Sequence, residues 1–323
     1  MAVKRIAVMT SGGDTPGMNA AIRAVARIGA YHGLEVLGIQ RGYQGMIDDE
    51  FSHLGPRSVS NIIQNGGTIL RTARSKEFMT LEGRRKAADN LTRRGVDGVV
   101  LIGGNGTFTG AIELAKIWQG GLVGAPGTID NDLYGSDFTI GFDTAVNTVT
   151  EAIDKIRDTM DAHERIFVIE VMGRHAGFIA LAVGIGGGAE EILIPETPTN
   201  MPAIVERIER NIRRGKRSNL IVVAEGDENG GASVVVEALN KQGFDARACI
   251  LGHLQRGGRP TASDRMLATR TGAACVDALI AGRTGVMAGV VNGVDTLTPF
   301  EDAVFKRKPI PRRVLELAER LAT

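Results

Sequence analysis

The chain has 323 residues, 43% of them hydrophobic and 23% charged, enough apolar side chain for one large core or two smaller ones. Lys+Arg 38 against Asp+Glu 37 leave a formal charge of +1, so no global charge draws it to nucleic acid or a membrane, and anion recognition must be local. No apolar run reaches membrane-spanning length, Met1–Arg5 enters a strand pattern without a signal-peptide core, and Cys249 and Cys275 sit singly in apolar runs; a soluble cytoplasmic protein with two buried, reduced thiols is expected.

In chain order, strand-like runs cover 5–9, 34–39, 98–102, 122–125, 166–171, 191–194, 220–224, 248–252 and 286–292. Helix-period runs cover 16–32, 58–65, 80–94, 108–117, 142–160, 176–185, 201–214, 233–241, 262–281 and 311–321. Alternation of this kind predicts an α/β fold with mostly parallel sheets covered on both faces. In 142–160, Phe142, Ala145, Val146, Val149, Ile153 and Ile156 fall on one helical stripe. Nine strands crowd a single open sheet. Two similar three-layer α/β/α lobes with an active-site cleft between them are expected, one of 1–140 plus 254–304 and the other of 141–253 plus 305–323. The basic run Lys306-Arg-Lys308 and Arg312-Arg313 reads as solvated surface before the last helix.

Three stretches put glycine and polar residues just after buried strands. Met9-Thr-Ser-Gly-Gly-Asp-Thr-Pro-Gly-Met-Asn19 runs from a strand through a glycine turn to a helix. Thr15 suits the cap and Pro16 the first turn, and backbone N–H groups near Gly12 and Gly13 can face a phosphate. Leu101-Ile-Gly-Gly-Asn-Gly-Thr-Phe108 repeats the arrangement. Gly124-Ala-Pro-Gly-Thr-Ile-Asp-Asn-Asp132 carries two carboxylates on irregular backbone. It reads either as a turn held by Asx hydrogen bonds or as a pocket edge where Asp130 and Asp132 take separate roles, one of them proton acceptor. No Walker P-loop and no dinucleotide fingerprint occurs. The three loops together suit a nucleoside triphosphate and a second ligand. Arg74, Arg165, Arg174, Arg247, and Arg256 beside His253, lie in polar surroundings that suit phosphate oxygens.

At four motifs the chain resembles the ATP-dependent, bacterial-type 6-phosphofructokinases. They are Thr10-Ser-Gly-Gly-Asp-Thr-Pro-Gly-Met-Asn-Ala-Ala-Ile-Arg23, Pro126-Gly-Thr-Ile-Asp-Asn-Asp132, Val171-Met-Gly-Arg-His-Ala-Gly177 and Leu251-Gly-His-Leu-Gln-Arg-Gly-Gly258, spread along the chain in the family's order. The resemblance implies phosphorylation of D-fructose 6-phosphate at C1, the reaction of glycolysis, with ATP as co-substrate and Mg²⁺ as cofactor. It implies that Asp130 takes the proton of the C1 hydroxyl, with Thr128 beside it, and that Asp132 supports the magnesium and phosphoryl region. Arg174 and Arg74 would counter charge on the γ-phosphate. Gly13, Arg74, Ser75, Gly104, Asn105, Gly106 and Thr107 would hold ATP. Thr128, Ile129, Met172, Gly173, Arg174, Glu225, Leu254 and Gln255 would line the sugar site, and Arg165, Arg247, His253 and Arg256 would hold the 6-phosphate. In the family the counterparts of Arg165 and Arg247 reach in from a neighbouring subunit, which implies a homotetramer with shared sites.

Departures from the family pattern are local. Asn105 stands where an aspartate usually contacts Mg²⁺, which predicts weaker metal affinity with activity retained. Gly106 and Gly127 occupy positions where pyrophosphate-using relatives commonly carry Asp and Lys, so ATP is the expected donor. Ser75 replaces an aromatic residue near the adenine, and Arg71 a small residue. An effector site for ADP or phosphoenolpyruvate is implied at Arg23, Arg27, Arg157, Arg214 and Lys216, with Gly188 and Glu190 toward the effector's metal; Pro56 replaces an expected arginine there and Arg57 adjoins it. Two other readings remain: a relative using pyrophosphate or another sugar phosphate, and a ligand-binding regulatory subunit weakened at Asn105.

Overall fold

The computed structural model describes residues 3–163, 165–228 and 230–321. Two compact units form, Met1–Thr144 with Arg256–Lys308, and Ala145–Gln255 with Pro309–Thr323. The first stretch builds β1 (Arg5–Thr10), α1 (Met18–Tyr31), β2 (Glu35–Ile39), α2 (Tyr43–Ile47), β3 (Phe51–His53), α3 (Leu81–Arg93), β4 (Gly98–Gly103), α4 (Asn105–Ala115) and β5 (Gly121–Pro126). α5 (Phe142–His163) leads into the smaller unit, which adds β6 (Ile166–Val171), α6 (Phe178–Gly186), β7 (Glu191–Leu193), α7 (Met201–Arg213), β8 (Asn219–Ala224), α8 (Ala232–Lys241) and β9 (Ala246–Ile250). α9 (Ala262–Ile280), β10 (Val286–Val291), β11 (Val294–Pro299) and α10 (Phe300–Phe305) belong to the larger unit, and α11 (Arg312–Leu321) to the smaller.

The larger sheet has the order β11-β10-β5-β4-β1-β2-β3. Its five central strands are parallel, and β3 and β11 close its edges antiparallel. Period-two alternation sends Ile6 and Val8 to one face, where they pack with Ile22 and Val25 of α1 and Cys275 and Val276 of α9. Ala7 and Met9 go to the other face, against Leu91 of α3, Phe108 of α4 and Phe300 of α10. The sheet is thus covered on both sides, and its strands read as nearly continuous apolar runs for that reason. From β1 the sheet grows to β2 on one side and to β4 on the other. Such a reversal opens a crevice at the carboxyl ends of the strands, where ligands bind in open α/β sheets. The smaller unit holds a four-stranded parallel sheet, β7-β8-β6-β9. One face of it packs Ile166, Val168, Ile221 and Val223 against Ile204 and Ile208 of α7 and Val235 of α8.

Several expected elements differ. The run 58–65 is a chain of turns, not a helix: Asn61 has φ 56, a left-handed conformation that stops a helix, while Val59 and Ile62 still reach the core. α1 starts at Met18 behind Gly17 (φ 107), with no side-chain cap, so Thr15 does not cap it. The short β3 and α2, and the edge elements β11 and α10, were not expected. Cys275 is buried, but Cys249 is only partly covered, and both are free thiols.

Candidate active site

Three loops follow the adjacent carboxyl ends of β1, β4 and β5, where Thr10 pairs with Ile102 and Gly103 with Pro126. Backbone bonds lock them together: Ser11 N donates to Ile102 O (3.1 Å) and Gly127 N to Gly103 O (2.9 Å). Thr107 donates its hydroxyl to Ser11 O (3.1 Å), and buried Tyr43 donates to Thr107 O (2.6 Å). Thr72 closes over the first loop with a bond to Gly12 O (2.6 Å). Gly104 precedes the first turn of α4, so Asn105, Gly106 and Thr107 sit at a helix N-terminus, where N–H groups and the helix dipole favour an anion.

The glycines in these loops have different causes. A Cβ at Gly13 would lie 2.3 Å from Nη1 of Arg256, whose guanidinium also donates to Asp14 O (3.4 Å). The arginine therefore lies against the first loop, and glycine makes room for it. A Cβ at Gly106 meets nothing within 4 Å, so the protein's own packing does not demand glycine there. At Gly127 a Cβ would come within 3.1 Å of Ile102 Cγ2 and 3.2 Å of Met18 Cε. Gly127 is thus closely packed, and a side chain there would need its neighbours to give by a few tenths of an ångström.

The loop after β5 is largely withdrawn from water. Ile129 is fully buried and Asp130 and Asn131 are each 3% exposed. Thr128 Oγ1 accepts from Asp130 N (3.2 Å), and Thr139 donates to Thr128 O (2.5 Å). The turn of the blander reading is therefore present, made by threonine, and it presents a buried carboxylate. Asn105 Nδ2 donates to Asp132 Oδ2 (2.6 Å), which ties the start of α4 to this loop. Asn131 adopts φ 54, and Lys308 Nζ donates both to its Oδ1 (2.8 Å) and to Asp137 O (2.8 Å). Burial pulls the Lys308 ammonium down to about 8, against Asp137 and Asp132, which favour its charge. The sequence reading of Lys308 as solvated surface is corrected here. Segment 300–308 folds back over 131–137, with Tyr134 N donating to Ala303 O (3.2 Å) and Lys306 over the Tyr134 ring.

Nearby, Ser75 Oγ donates to Gln44 Oε1 (2.7 Å) and accepts from Phe78 N (3.1 Å). Arg74 and Arg71 are exposed, Arg71 at φ 56. On α1, Arg23 is half-buried and Arg27 exposed, while Pro56 and Arg57 lie exposed beyond β3.

In the smaller unit, the turn after β6 buries Met172 and Gly173 and leaves Arg174 exposed at φ 53. Arg174 N donates to Glu225 Oε1 (2.9 Å) at the end of β8. A Cβ at Gly226 would fall 1.6 Å from Arg174 O, so the two turns meet only because residue 226 is glycine. Arg165 and Arg247 share one carboxylate, each 2.8 Å from Asp245. His253 and Leu254 are exposed, whereas Gln255 is fully buried. The Gln255 carboxamide accepts from Met172 N (3.1 Å) and donates to Gly252 O (3.1 Å), so it braces the turn that carries Arg174. Arg157 donates to Gly187 O (2.6 Å) beside Gly188, Lys216 pairs with buried Glu190, and Arg214 closes α7.

A family model described as phosphofructokinase matches residues 5–279, and the chain is 59% identical over 321 residues to the ATP-dependent 6-phosphofructokinase 1 of Thermus thermophilus, covering 99% of this chain and all of that one. The chain belongs to the phosphofructokinase family. Another relative, the ATP-dependent 6-phosphofructokinase of Cytophaga hutchinsonii, is 57% identical across 99% of this phosphofructokinase and 98% of its own length. Among solved structures, phosphofructokinase from Saccharomyces cerevisiae superposes with TM-score 0.89 at 36% identity, over 99% of this chain and 48% of the yeast chain. A pyrophosphate-dependent phosphofructokinase from Marinobacter aquaeolei shares the fold, with TM-score 0.85 over 99% of this chain and 91% of its own, at 22% identity.

Sequence reasoning missed Lys308, Thr72 and Tyr43, which anchor the phosphofructokinase loops from outside the motifs. Of these only Lys308 lies in a stretch with a sequence signal, the basic run 306–308, and a basic run by itself signals solvation.

Proposed function

We propose that the chain transfers the γ-phosphoryl group of ATP to the C1 hydroxyl of D-fructose 6-phosphate, giving fructose 1,6-bisphosphate and ADP in glycolysis. The observation that carries this reading is 59% identity, along nearly the whole chain, to a protein named ATP-dependent 6-phosphofructokinase. Buried Asp130 at the end of the central sheet supports it. In this mechanism Asp130 accepts the C1 hydroxyl proton as the oxygen bonds to the γ-phosphorus. The bond from that phosphorus to the β–γ bridging oxygen breaks, ADP leaves, and Asp130 returns its proton to water. Thr128 holds the turn carrying Asp130, and Ile129 keeps that turn dry. Arg74 and Arg174 counter charge on the moving phosphoryl group, as phosphoryl transfer requires. Gly13, Ser75, Gly104, Asn105, Gly106 and Thr107 bind ATP. Met172, Gly173, Glu225 and Leu254 line the sugar, Gln255 braces the turn that carries Met172 and Gly173, and Arg165, Arg247, His253 and Arg256 take the 6-phosphate.

Mg²⁺ is commonly bound through one or two carboxylates plus substrate phosphates. Asp132 supplies one carboxylate, and turning over the Asn105 amide exchanges its donating nitrogen for an oxygen. No group of three His, Cys, Asp or Glu gathers as a metal site among the described residues. This donor set fits an ion brought in on the nucleotide. When bound, the ion supplies neutralisation of phosphate charge.

The open space at Gly106 favours ATP over pyrophosphate as donor. The same reading has a cytoplasmic homotetramer in which Arg165 and Arg247 serve a neighbouring subunit's site. ADP or phosphoenolpyruvate would act through Arg23, Arg27, Arg157, Gly188, Glu190, Arg214 and Lys216. A second reading, a subunit that binds these ligands without turnover, draws on Asn105 alone. Turnover assays of the purified chain with ATP and with pyrophosphate separate these readings. Fructose 1,6-bisphosphate formed with ATP upholds the first; preference for pyrophosphate, or no turnover, overturns it.

A further inference from the structure

The loop 127–132 carries the proposed base, yet the residue that follows that base has an unfavourable conformation. Asn131 sits at φ 54, a region L-residues enter rarely, asparagine among the more tolerant. It is 3% exposed, so its amide must find its hydrogen bonds within the protein. Its Nδ2 donates to Asp137 O (3.3 Å), and its Oδ1 accepts from Lys308 Nζ (2.8 Å). The same ammonium donates to Asp137 O (2.8 Å). Asn131, Asp137 and Lys308 therefore close a small polar ring behind the loop. The ring has an outer anchor: Asp137 N donates to Val290 O (2.8 Å) and Asp137 Oδ2 accepts from Asn292 N (2.6 Å), both at the end of β10. Asn131 joins Asp130 to Asp132, so the turn it holds helps to set the backbone that carries both.

We propose that Lys308 is a positioning residue for the phosphoryl-transfer site, clamping Asn131 in its left-handed turn and so fixing the relative setting of Asp130 and Asp132. This rests on the proposed activity for its catalytic meaning, but the clamp itself is a property of the fold. Charge-assisted hydrogen bonds are about twice as strong as neutral ones, and a donor out of bulk water has little competition for Asn131 Oδ1. Small misplacement of a reacting group costs on the order of 100-fold in rate. Loss of the clamp is therefore expected in kcat, with ligand binding elsewhere in the loops retained.

The test compares wild type with Lys308→Met, which keeps the stem and removes the charge, and Lys308→Arg, which keeps the charge. In folded Lys308→Met, kcat with ATP and fructose 6-phosphate is expected to fall about 100-fold, with KM for each within about threefold and partial recovery in Lys308→Arg. Combining Lys308→Met with Asn131→Ala should cost little more than either change alone, as for residues acting as one unit. A purely structural role would lower thermal stability without splitting kcat from KM. Kcat within twofold of wild type, or fully multiplicative losses in the double variant, overturns the inference while leaving the proposed activity intact. Amide hydrogen exchange gives a readout free of activity: exchange across 129–133 should quicken in Lys308→Met while β4 and β10 stay protected. Unchanged exchange there refutes the clamp whether or not the wild type turns over. If Lys308→Met does not fold, Lys308→Ala, which likewise removes both the charge and the donor, carries the same comparison.

Discussion

Asn105 stands where the resemblance leads one to expect an aspartate, and it lies against Asp132, which keeps the expected carboxylate. Their side chains already hold each other (2.6 Å), so the amide takes up the acceptor that an ion would use. Asn105→Asp adds a second carboxylate and removes that donor. The variant is expected to reach half-maximal turnover at several-fold lower Mg²⁺, read by titrating Mg²⁺ at fixed ATP; an unchanged midpoint contradicts the metal role of position 105. A second residue-scale consequence lies at Glu191, which pairs with Arg207 in a cavity of about 250 Å³ in the smaller unit. Burial outweighs the arginine and raises the Glu191 acid from 4.5 to about 6. Between those values the folded protein binds a proton that the unfolded chain has released, so stability falls as pH rises through that window. The loss totals at most about 2 kcal/mol, at 1.36 kcal/mol per unit. Unfolding free energies of wild type and Glu191→Gln should show the wild type losing ground to the variant from pH 4.5 to 6, and no change above it. At this scale the sequence pointed to the loops and their carboxylates, because glycine after an apolar run is a local signal. It did not point to Lys308, which is drawn in by Asn131 and Asp137, far away in the chain.

Among the elements, the nine strand-like runs all became strands; for the central strands such as β1, β4 and β8 this is because burial on both faces writes itself as continuous apolar sequence, whereas β9 is a largely exposed edge strand. The elements that escaped notice are short or lie at edges. β3 has three residues, two of them exposed. β11 was passed over although Asn292-Gly293, at φ 51 and 79, is the two-residue signature of a hairpin turn; that signal was in the sequence. The 58–65 run had a helical pattern of apolar residues, and it packs as such a pattern should, but Asn61 denies it the backbone. Inside β5, Gly124 is packed against by two rings: a Cβ there would lie 2.3 Å from Phe108 and 2.8 Å from Phe300, which stack with centroids 5.0 Å apart. Gly124→Ala is expected to destabilise the larger unit by about 1–3 kcal/mol, the usual cost of overpacking, measurable by denaturant unfolding; a neutral result means that the ring pair yields.

For the whole molecule, function rests on what each unit holds ready. The larger unit supplies three loops on one sheet edge, with Asp130 buried at the centre. The smaller presents Arg174 on a turn braced by Gln255, and a pair of arginines on Asp245. From the sequence the arginines read singly as groups suited to phosphate oxygens; the shared carboxylate appears because Arg165 immediately precedes β6 and Arg247 lies in the neighbouring parallel strand β9. The reaction proposed for the chain removes a proton from a sugar alcohol as phosphate arrives, and general-base catalysis contributes about 10²–10⁴-fold. The most direct test is steady-state formation of fructose 1,6-bisphosphate from ATP and fructose 6-phosphate by wild type and Asp130→Asn, which keeps the shape and removes the base. Turnover by the wild type and a loss in kcat of about 10²–10⁴-fold in the variant are expected, with both proteins equally folded; an Asp130→Asn protein turning over at the wild-type rate contradicts the role of Asp130 as base.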